Sequence, residues 1–208
     1  LHLSELALQQ AKTVPLHEGQ GYVDLIRACE LSSNLGAELL VKRLGLEVGG
    51  VGSTEAGAEV VTDLLIERGL PMTDVIVTDG SGLSEDNRLT CNLLTSLLAT
   101  EGPDTDLGRS LPIGAVRGSL RDRFVDAPAA GLVQAKTGTL QGVRSLSGYV
   151  LSETVDSGDG RYVSFAQILN DADVVEEELV FAAQDMLVNA LVTYSAGPSI
   201  EELSPEAA

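Results

Sequence analysis

Along most of this chain apolar residues return at helical spacing, and only in the last third do they alternate. The apolar positions 22, 25, 26 and 29 share one face of a helix from Tyr22 to Leu31. Ser32-Ser33-Asn34 interrupts that run with residues that favour helix caps. A second helix follows from Leu35 to Leu44, stopped by Gly45. Beyond a glycine loop, Ser53 or Thr54 caps a third helix. Its apolar face is Val60, Val61, Leu64 and Leu65, and Arg68-Gly69 ends it. Val75-Ile76-Val77 predicts a short buried strand or extended piece running into a tight glycine turn, Thr78 to Ser84. A helix from Thr90 to Thr100 and a loop from Glu101 to Asp106 come next, and Ser119 caps a short helix, Leu120 to Phe124.

The period then changes. Strands are predicted over 132–137, 145–151 and 161–169, with a polar turn from Ser152 to Gly160. A long helix over 174–194 is apolar at 175, 179, 180, 183, 187, 190 and 191, a broad stripe that must face a core. The pattern divides residues 22–130, mainly helical, from residues 131–194, three strands and a helix, with 195–208 a flexible tail. The fold class is α/β of the α+β kind: an antiparallel sheet flanked by helices, plus a helical subdomain.

Composition narrows the function. With 208 residues and 44% hydrophobic content, the chain holds one sizeable core or a large part of a bigger domain. Aromatics are only 3% and Trp is absent, so aliphatic side chains fill that core. The net charge of -18 argues against nucleic acid and disfavours anionic membranes, since no basic stripe exists to neutralise phosphates. No run approaches the roughly 18 apolar residues of a membrane span. Leu1 to Gln20 lack the basic start and apolar run of a signal peptide, and the chain does not begin with Met. Cys29 and Cys91 are too few for a disulfide scaffold and read as small buried hydrophobes, with a bond between them as the alternative. His2 and His17 form no His/Cys cluster, so no catalytic metal is expected. Gly49-Gly50-Val51-Gly52 fails both nucleotide patterns: Glu55 replaces the third Gly of a dinucleotide fingerprint and Ala58 the Lys of a P-loop.

Candidate chemistry centres on Gln134-Ala135-Lys136-Thr137-Gly138-Thr139-Leu140. It reads as a strand carrying Lys136 to its end, a short turn and a returning antiparallel strand. Lys136 is one of three lysines, beside Lys12 and Lys42. A cation, two hydroxyls and a glycine on a strand edge form an anion-binding surface, and Gly138 leaves no side chain between backbone and ligand. Taken alone, Lys-Thr-Gly also reads as a chance triplet at a turn, and Ser32-Ser33-Asn34 as a helix cap.

Three segments stand in order: Ser32-Ser33-Asn34, Asp79-Gly80-Ser81-Gly82-Leu83-Ser84 followed by Asn87-Arg88-Leu89-Thr90, and Lys136-Thr137-Gly138-Thr139-Leu140 with Val143 and Ser147-Gly148-Tyr149 beyond. With these the chain resembles, over most of residues 20–194, the serine D-alanyl-D-alanine carboxypeptidases/endopeptidases of the low-molecular-mass class C penicillin-binding proteins. Their signatures are Ser-x-x-Lys, Ser-x-Asn and Lys-Thr-Gly on the fold shared with serine β-lactamases. The resemblance implies acyl transfer at a peptidoglycan stem peptide ending in D-Ala-D-Ala, acylation by β-lactams, an extracytoplasmic bacterial location and no cofactor. It gives Ser32 a proton relay to the departing amine and Asn34 the substrate amide oxygen. Lys136 keeps the site positive, Thr137 and Thr139 bind the terminal carboxylate beside Gly138, and the Thr139 N–H forms half of an oxyanion hole.

Two departures stand out. No serine is followed three residues later by lysine, so the resemblance makes this chain the C-terminal part of such an enzyme, partnered by an N-terminal part that carries the nucleophile. Glu85 stands where a basic residue is common in relatives, which should alter the stem-peptide preference. The resemblance also implies a five-stranded sheet in which 161–169 is central and takes its outer neighbour from outside this sequence. Isolated, the chain should then be poorly soluble or molten, and inert to penicillin. Two other readings stay open: a serine β-lactamase, and a peptidoglycan-binding remnant without catalysis.

Overall fold

A computed structural model describes residues 13–15, 22–24, 29–151, 162–171 and 177–193. The histidines, the turn Ser152 to Gly160, the start of the last helix and the tail 195–208 lie outside the described residues.

The first expected helix, Tyr22 to Leu31, begins instead as a strand; Cys29 and Glu30 near its end are helical, and 25–28 lie outside the described residues. Tyr22–Asp24 (β2) pairs antiparallel with Thr13–Pro15 (β1). Tyr22 and Val23 are aromatic and β-branched, and a partner strand outweighs four apolar residues at helical spacing. Helix α1, Asn34–Glu47, and helix α2, Thr54–Glu67, are capped as expected, Ser33 Oγ accepting from Gly36 N–H and Ser53 Oγ from Ala56 N–H. Gly45 does not stop α1. It is a buried residue inside the helix, and a Cβ there would stand 2.8 Å from the Gly57 nitrogen. At Gly57 a Cβ would meet the Val41 carbonyl oxygen at 2.1 Å. Both glycines serve the close approach of α1 and α2.

Val75-Ile76-Val77 is the expected extended piece rather than a buried strand: Ile76 is 51% exposed and makes one antiparallel bridge with Arg88. Helix α3, Cys91–Glu101, starts at the Thr90 cap. A short helix, α4, Asp106–Ser110, begins where the 101–106 loop ends. Ser119 caps no helix; it lies inside a single 3-10 turn, Gly118–Leu120, that has no side-chain cap. Cys29 and Cys91 are free thiols, and Cys91 is exposed rather than buried.

The sheet has the order β3-β4-β5, all antiparallel: Val133–Leu140, Val143–Leu151 and Tyr162–Leu169. A two-residue turn, Gln141-Gly142, joins β3 to β4, with Gly142 at φ +72, a left-handed conformation that glycine adopts without a Cβ penalty. Among the described residues β5 pairs with β4 alone, and its outer side carries no strand of this chain.

Helix α5, Glu177–Thr193, covers one sheet face. Val133, Ala135, Leu146, Val150 and Phe165 meet Val188 and Val192 there, with Leu120 and Phe124 closing the side. The buried stripe of α5 is Val180, Gln184, Val188 and Val192, while Leu179 is 59% exposed. The expected stripe was rotated because Gln184 is polar: its Oε1 accepts from the Arg123 guanidinium at 2.9 Å, which lets it sit in the core. The opposite sheet face packs on α3, where Tyr149 is buried with Leu98 and Leu111. The Tyr149 hydroxyl donates to the Leu98 carbonyl at 2.8 Å, and burial pushes it up to about 12. The fold is a mixed helix and antiparallel-sheet architecture, a sheet between two helical layers with the α1–α2 pair beside it.

Candidate active site

The outer edge of β3 is covered only along its first half. Ala135 N–H donates to the Pro112 carbonyl at 2.9 Å, and Gly114 N–H donates to the Val133 carbonyl at 3.0 Å. Odd positions of β3 therefore turn their backbone groups away from β4, and alternation carries the rule to Thr137 and Thr139. The strand continues past Lys136 to Leu140, so Lys136 sits in its middle and not at its end. Beyond Ala135 no described chain segment pairs with the edge. The backbone groups of Thr137 and Thr139 face outward there, unpaired with any described strand.

Packing gives Gly138 a further reason beside the one in the sequence. A Cβ would lie 2.2 Å from Ser145 Oγ, the residue opposite it on β4. The space belongs to that hydroxyl. Thr139 is exposed, and Thr137 Oγ1 lies 3.2 Å from Ser119 Oγ.

Ser32-Ser33-Asn34 turns out to be both a cap and more. Ser33 does the capping. Ser32 stands just ahead of it at φ +53, a left-handed conformation that serine rarely adopts. That conformation aims its hydroxyl across the site, where Lys136 Nζ donates to Ser32 Oγ at 2.8 Å. The same ammonium donates to the Thr137 carbonyl at 2.6 Å. Asn34, the first residue of α1, is exposed beside them.

A cavity of about 310 Å³ opens between these segments. Cys29, Ser32, Asn34, Ser81 and Lys136 line its polar side, and α1 supplies an apolar floor through Leu40 and Leu44. Ser32, Asn34 and Lys136 thus share one cavity, whereas Thr137, Gly138 and Thr139 continue along β3 and do not line it. Glu85 does not line it either. Burial pushes the Lys136 ammonium below the ordinary lysine value of 10.5, with Cys29 acting in the opposite direction.

Sequence reasoning missed the third wall's anchorage. Asp79 closes the glycine turn from within, accepting from Gly82 N–H and Ser84 N–H, each at 2.7 Å, and from Asn87 Nδ2 at 2.9 Å. Burial would raise its carboxyl, but hydrogen bonds from Asn87, Ser84 and Gly82 outweigh burial, and the net shift is downward. Glu38 holds the turn from α1.

Residues 4–191 match the D-Ala-D-Ala carboxypeptidase 3 (S13) family. The chain is 37% identical over 134 residues to a D-alanyl-D-alanine carboxypeptidase of Actinomadura sp. (strain R39), covering 61% of this chain and 25% of that protein. It is 33% identical over 150 residues to carboxypeptidase Rv3627c of Mycobacterium tuberculosis, covering 68% of this chain and 32% of that protein. The fold is similar to penicillin binding protein 4 (dacB) from Haemophilus influenzae, solved with a β-lactam, with a TM-score of 0.68 and 25% identity. That match covers 80% of this chain and 40% of the other. The chain spans about a quarter to a third of the length of these curated relatives.

Proposed function

Because the chain belongs to the D-Ala-D-Ala carboxypeptidase 3 (S13) family, we propose that it supplies the substrate-binding and proton-relay part of a serine-type D-Ala-D-Ala carboxypeptidase/endopeptidase. The observation that carries this reading is the 2.8 Å contact between Lys136 Nζ and Ser32 Oγ beside the free edge of β3. A neutral hydroxyl held by a cation can accept a proton and pass one on.

The substrate is a peptidoglycan stem peptide ending in D-Ala-D-Ala, lying extended against β3. A serine outside this sequence, from the N-terminal part of the same enzyme, attacks the carbonyl between the two D-Ala residues. Its proton goes to a neighbouring Lys of the Ser-x-x-Lys type. The new C–O bond forms as charge collects on the carbonyl oxygen, which the Thr139 N–H stabilises. The C–N bond then breaks, and Ser32 delivers a proton to the departing D-Ala amine. Asn34 holds the amide oxygen of the donor peptide, and Thr137 and Thr139 bind the leaving carboxylate, with Gly138 between them. Water releases the acyl group. Side chains and water suffice for the cycle. A wall-linked substrate places the enzyme outside the cytoplasm of a bacterium, and no helix among the described residues is long and apolar enough to cross a membrane.

The test uses the full-length enzyme with fluorescent penicillin and with a peptide ending in D-Ala-D-Ala. Covalent labelling of the enzyme and release of free D-Ala are expected. Rapid turnover of penicillin without D-Ala release would make the protein a β-lactamase, and neither activity would make it a binding remnant.

A further inference from the structure

Glu38 does not line the cavity; it stands behind the wall that does. Its Oε1 accepts from two consecutive backbone groups, Gly80 N–H at 3.0 Å and Ser81 N–H at 2.9 Å. Its Oε2 accepts from the Thr54 hydroxyl at the start of α2, at 3.3 Å. One carboxylate thus joins α1, α2 and the glycine turn. Two N–H groups converging on one oxygen fix the orientation of that peptide as well as its position. Packing agrees: Gly80 is pressed onto α1, where a Cβ would stand 2.6 Å from the Ala37 carbonyl oxygen and 2.6 Å from Val41 Cγ2.

The two carboxylates of this region divide the work. Asp79 shapes the turn through Gly82, Ser84 and Asn87. Glu38 makes no bond that shapes it and only docks it. Burial would raise the Glu38 carboxyl, but hydrogen bonds from Ser81 and Gly80 outweigh burial and hold it below the ordinary value. The carboxylate is therefore ionised and bound tightly by the turn at neutral pH.

We propose that Glu38 is a positioning residue for the acyl-transfer reaction: it docks Gly80-Ser81 onto α1 as the wall that shares the cavity with Lys136, and so sets the width of the slot in which the substrate lies against β3. The inference rests on the acyl-transfer reading above. Because Asn34 and Glu38 are one turn apart on the same helix, the wall is registered to Asn34. Loss of the docking leaves the turn folded by Asp79 but displaced. A displaced wall weakens binding in ground and transition states alike, so the loss appears mainly in the binding constant.

The test compares Glu38→Leu and Glu38→Gln in the full-length enzyme. Penicillin acylation is resolved into its binding and rate constants, melting is recorded, and amide exchange is followed at Gly80, Ser81, Gly82 and Ser84. Leu fills the space without an acceptor. It should lower the second-order acylation constant by about ten- to a hundredfold, mostly through binding. Exchange should speed up at Gly80 and Ser81 but not at Gly82 and Ser84. Gln keeps an oxygen that accepts both N–H groups, and its NH2 finds an acceptor in the Thr54 hydroxyl, so it should restore most of the wild-type constant. A folded Leu variant acylated at the wild-type rate overturns the proposal, and so does a Gln variant as impaired as Leu. Where Leu fails to fold, Glu38→Asp decides: its carboxylate is withdrawn by one methylene, and wild-type acylation by that variant overturns the proposal. Absence of acylation in the wild type overturns the acyl-transfer reading itself, and the proposal with it.

Discussion

Replacing Lys136 with Met in the full-length enzyme should separate catalysis from stability. The ammonium makes two hydrogen bonds, to Ser32 Oγ at 2.8 Å and to the Thr137 carbonyl at 2.6 Å. Charge-assisted bonds of this kind contribute about 1.5–3 kcal/mol each. Burial works against them, and the net result is a folded-state value below 10.5. For a base, a lowered folded value means that its charge is less favourable in the folded than in the unfolded chain. The charge therefore weakens the fold at every pH below the folded value, and stability is regained as pH rises toward 10.5. Met keeps the apolar stem and removes the charge. At neutral pH the melting temperature should hold or rise.

Acylation should behave in the opposite way. Losing one preorganised electrostatic contact costs on the order of a hundredfold, about 2.7 kcal/mol. The assay is stopped-flow labelling by a reporter penicillin beside calorimetric melting of the same samples. Unchanged acylation in a folded Met variant would remove Lys136 from the reaction. A fall in acylation matched by a fall in melting temperature would make it a fold residue instead.

Three further outcomes are expected. Thr139→Pro removes the outward N–H without touching the β4 ladder, so the sheet should persist while acylation falls by about a hundredfold or more, measured by labelling and by circular dichroism. Gly57→Ala drives a Cβ to 2.1 Å from the Val41 carbonyl oxygen and should destabilise the α1–α2 pair by at least about 1–3 kcal/mol in denaturant titration. Glu38 and Asp79 are both depressed below their ordinary values of 4.5 and 3.8. Their contribution should be complete above those values and lost as pH falls below them, seen as a fall in amide protection, relative to the intrinsic exchange rate at each pH, at Gly80 to Ser84.

Local signals were readable where one residue type has one cause. Ser33 and Ser53 each cap a helix through their hydroxyl oxygen, while Thr90, expected inside its helix, caps it; alternation marked β3, β4 and β5. Gly45 misled because a glycine that ends a helix and one that admits a second helix look alike in a sequence. The buried face of α5 was misplaced because Gln184 owes its burial to Arg123, more than sixty residues earlier. Glu38 was silent for the same reason: its partners, Gly80 and Ser81, lie 42 and 43 positions away, and periodicity reports only near neighbours.

The strained serine shows how these long-range ties work together. A left-handed serine costs on the order of 1–3 kcal/mol and persists only where its surroundings over-determine it. Here the Ser33 cap fixes the residue after it, the Cys29 carbonyl accepts its N–H at 3.2 Å, and Lys136 holds its hydroxyl. Removing any one of these lets the backbone relax and takes Oγ off Lys136. Because Ser33 starts α1 and Glu38 leaves the same helix one turn on, the strain at Ser32 and the docking of the glycine turn share one rigid support. A shift of α1 along its axis would move Ser32, Asn34 and the docked Ser81 wall together against β3, and the close packing of α1 on α2 at Gly45 and Gly57 resists such a shift.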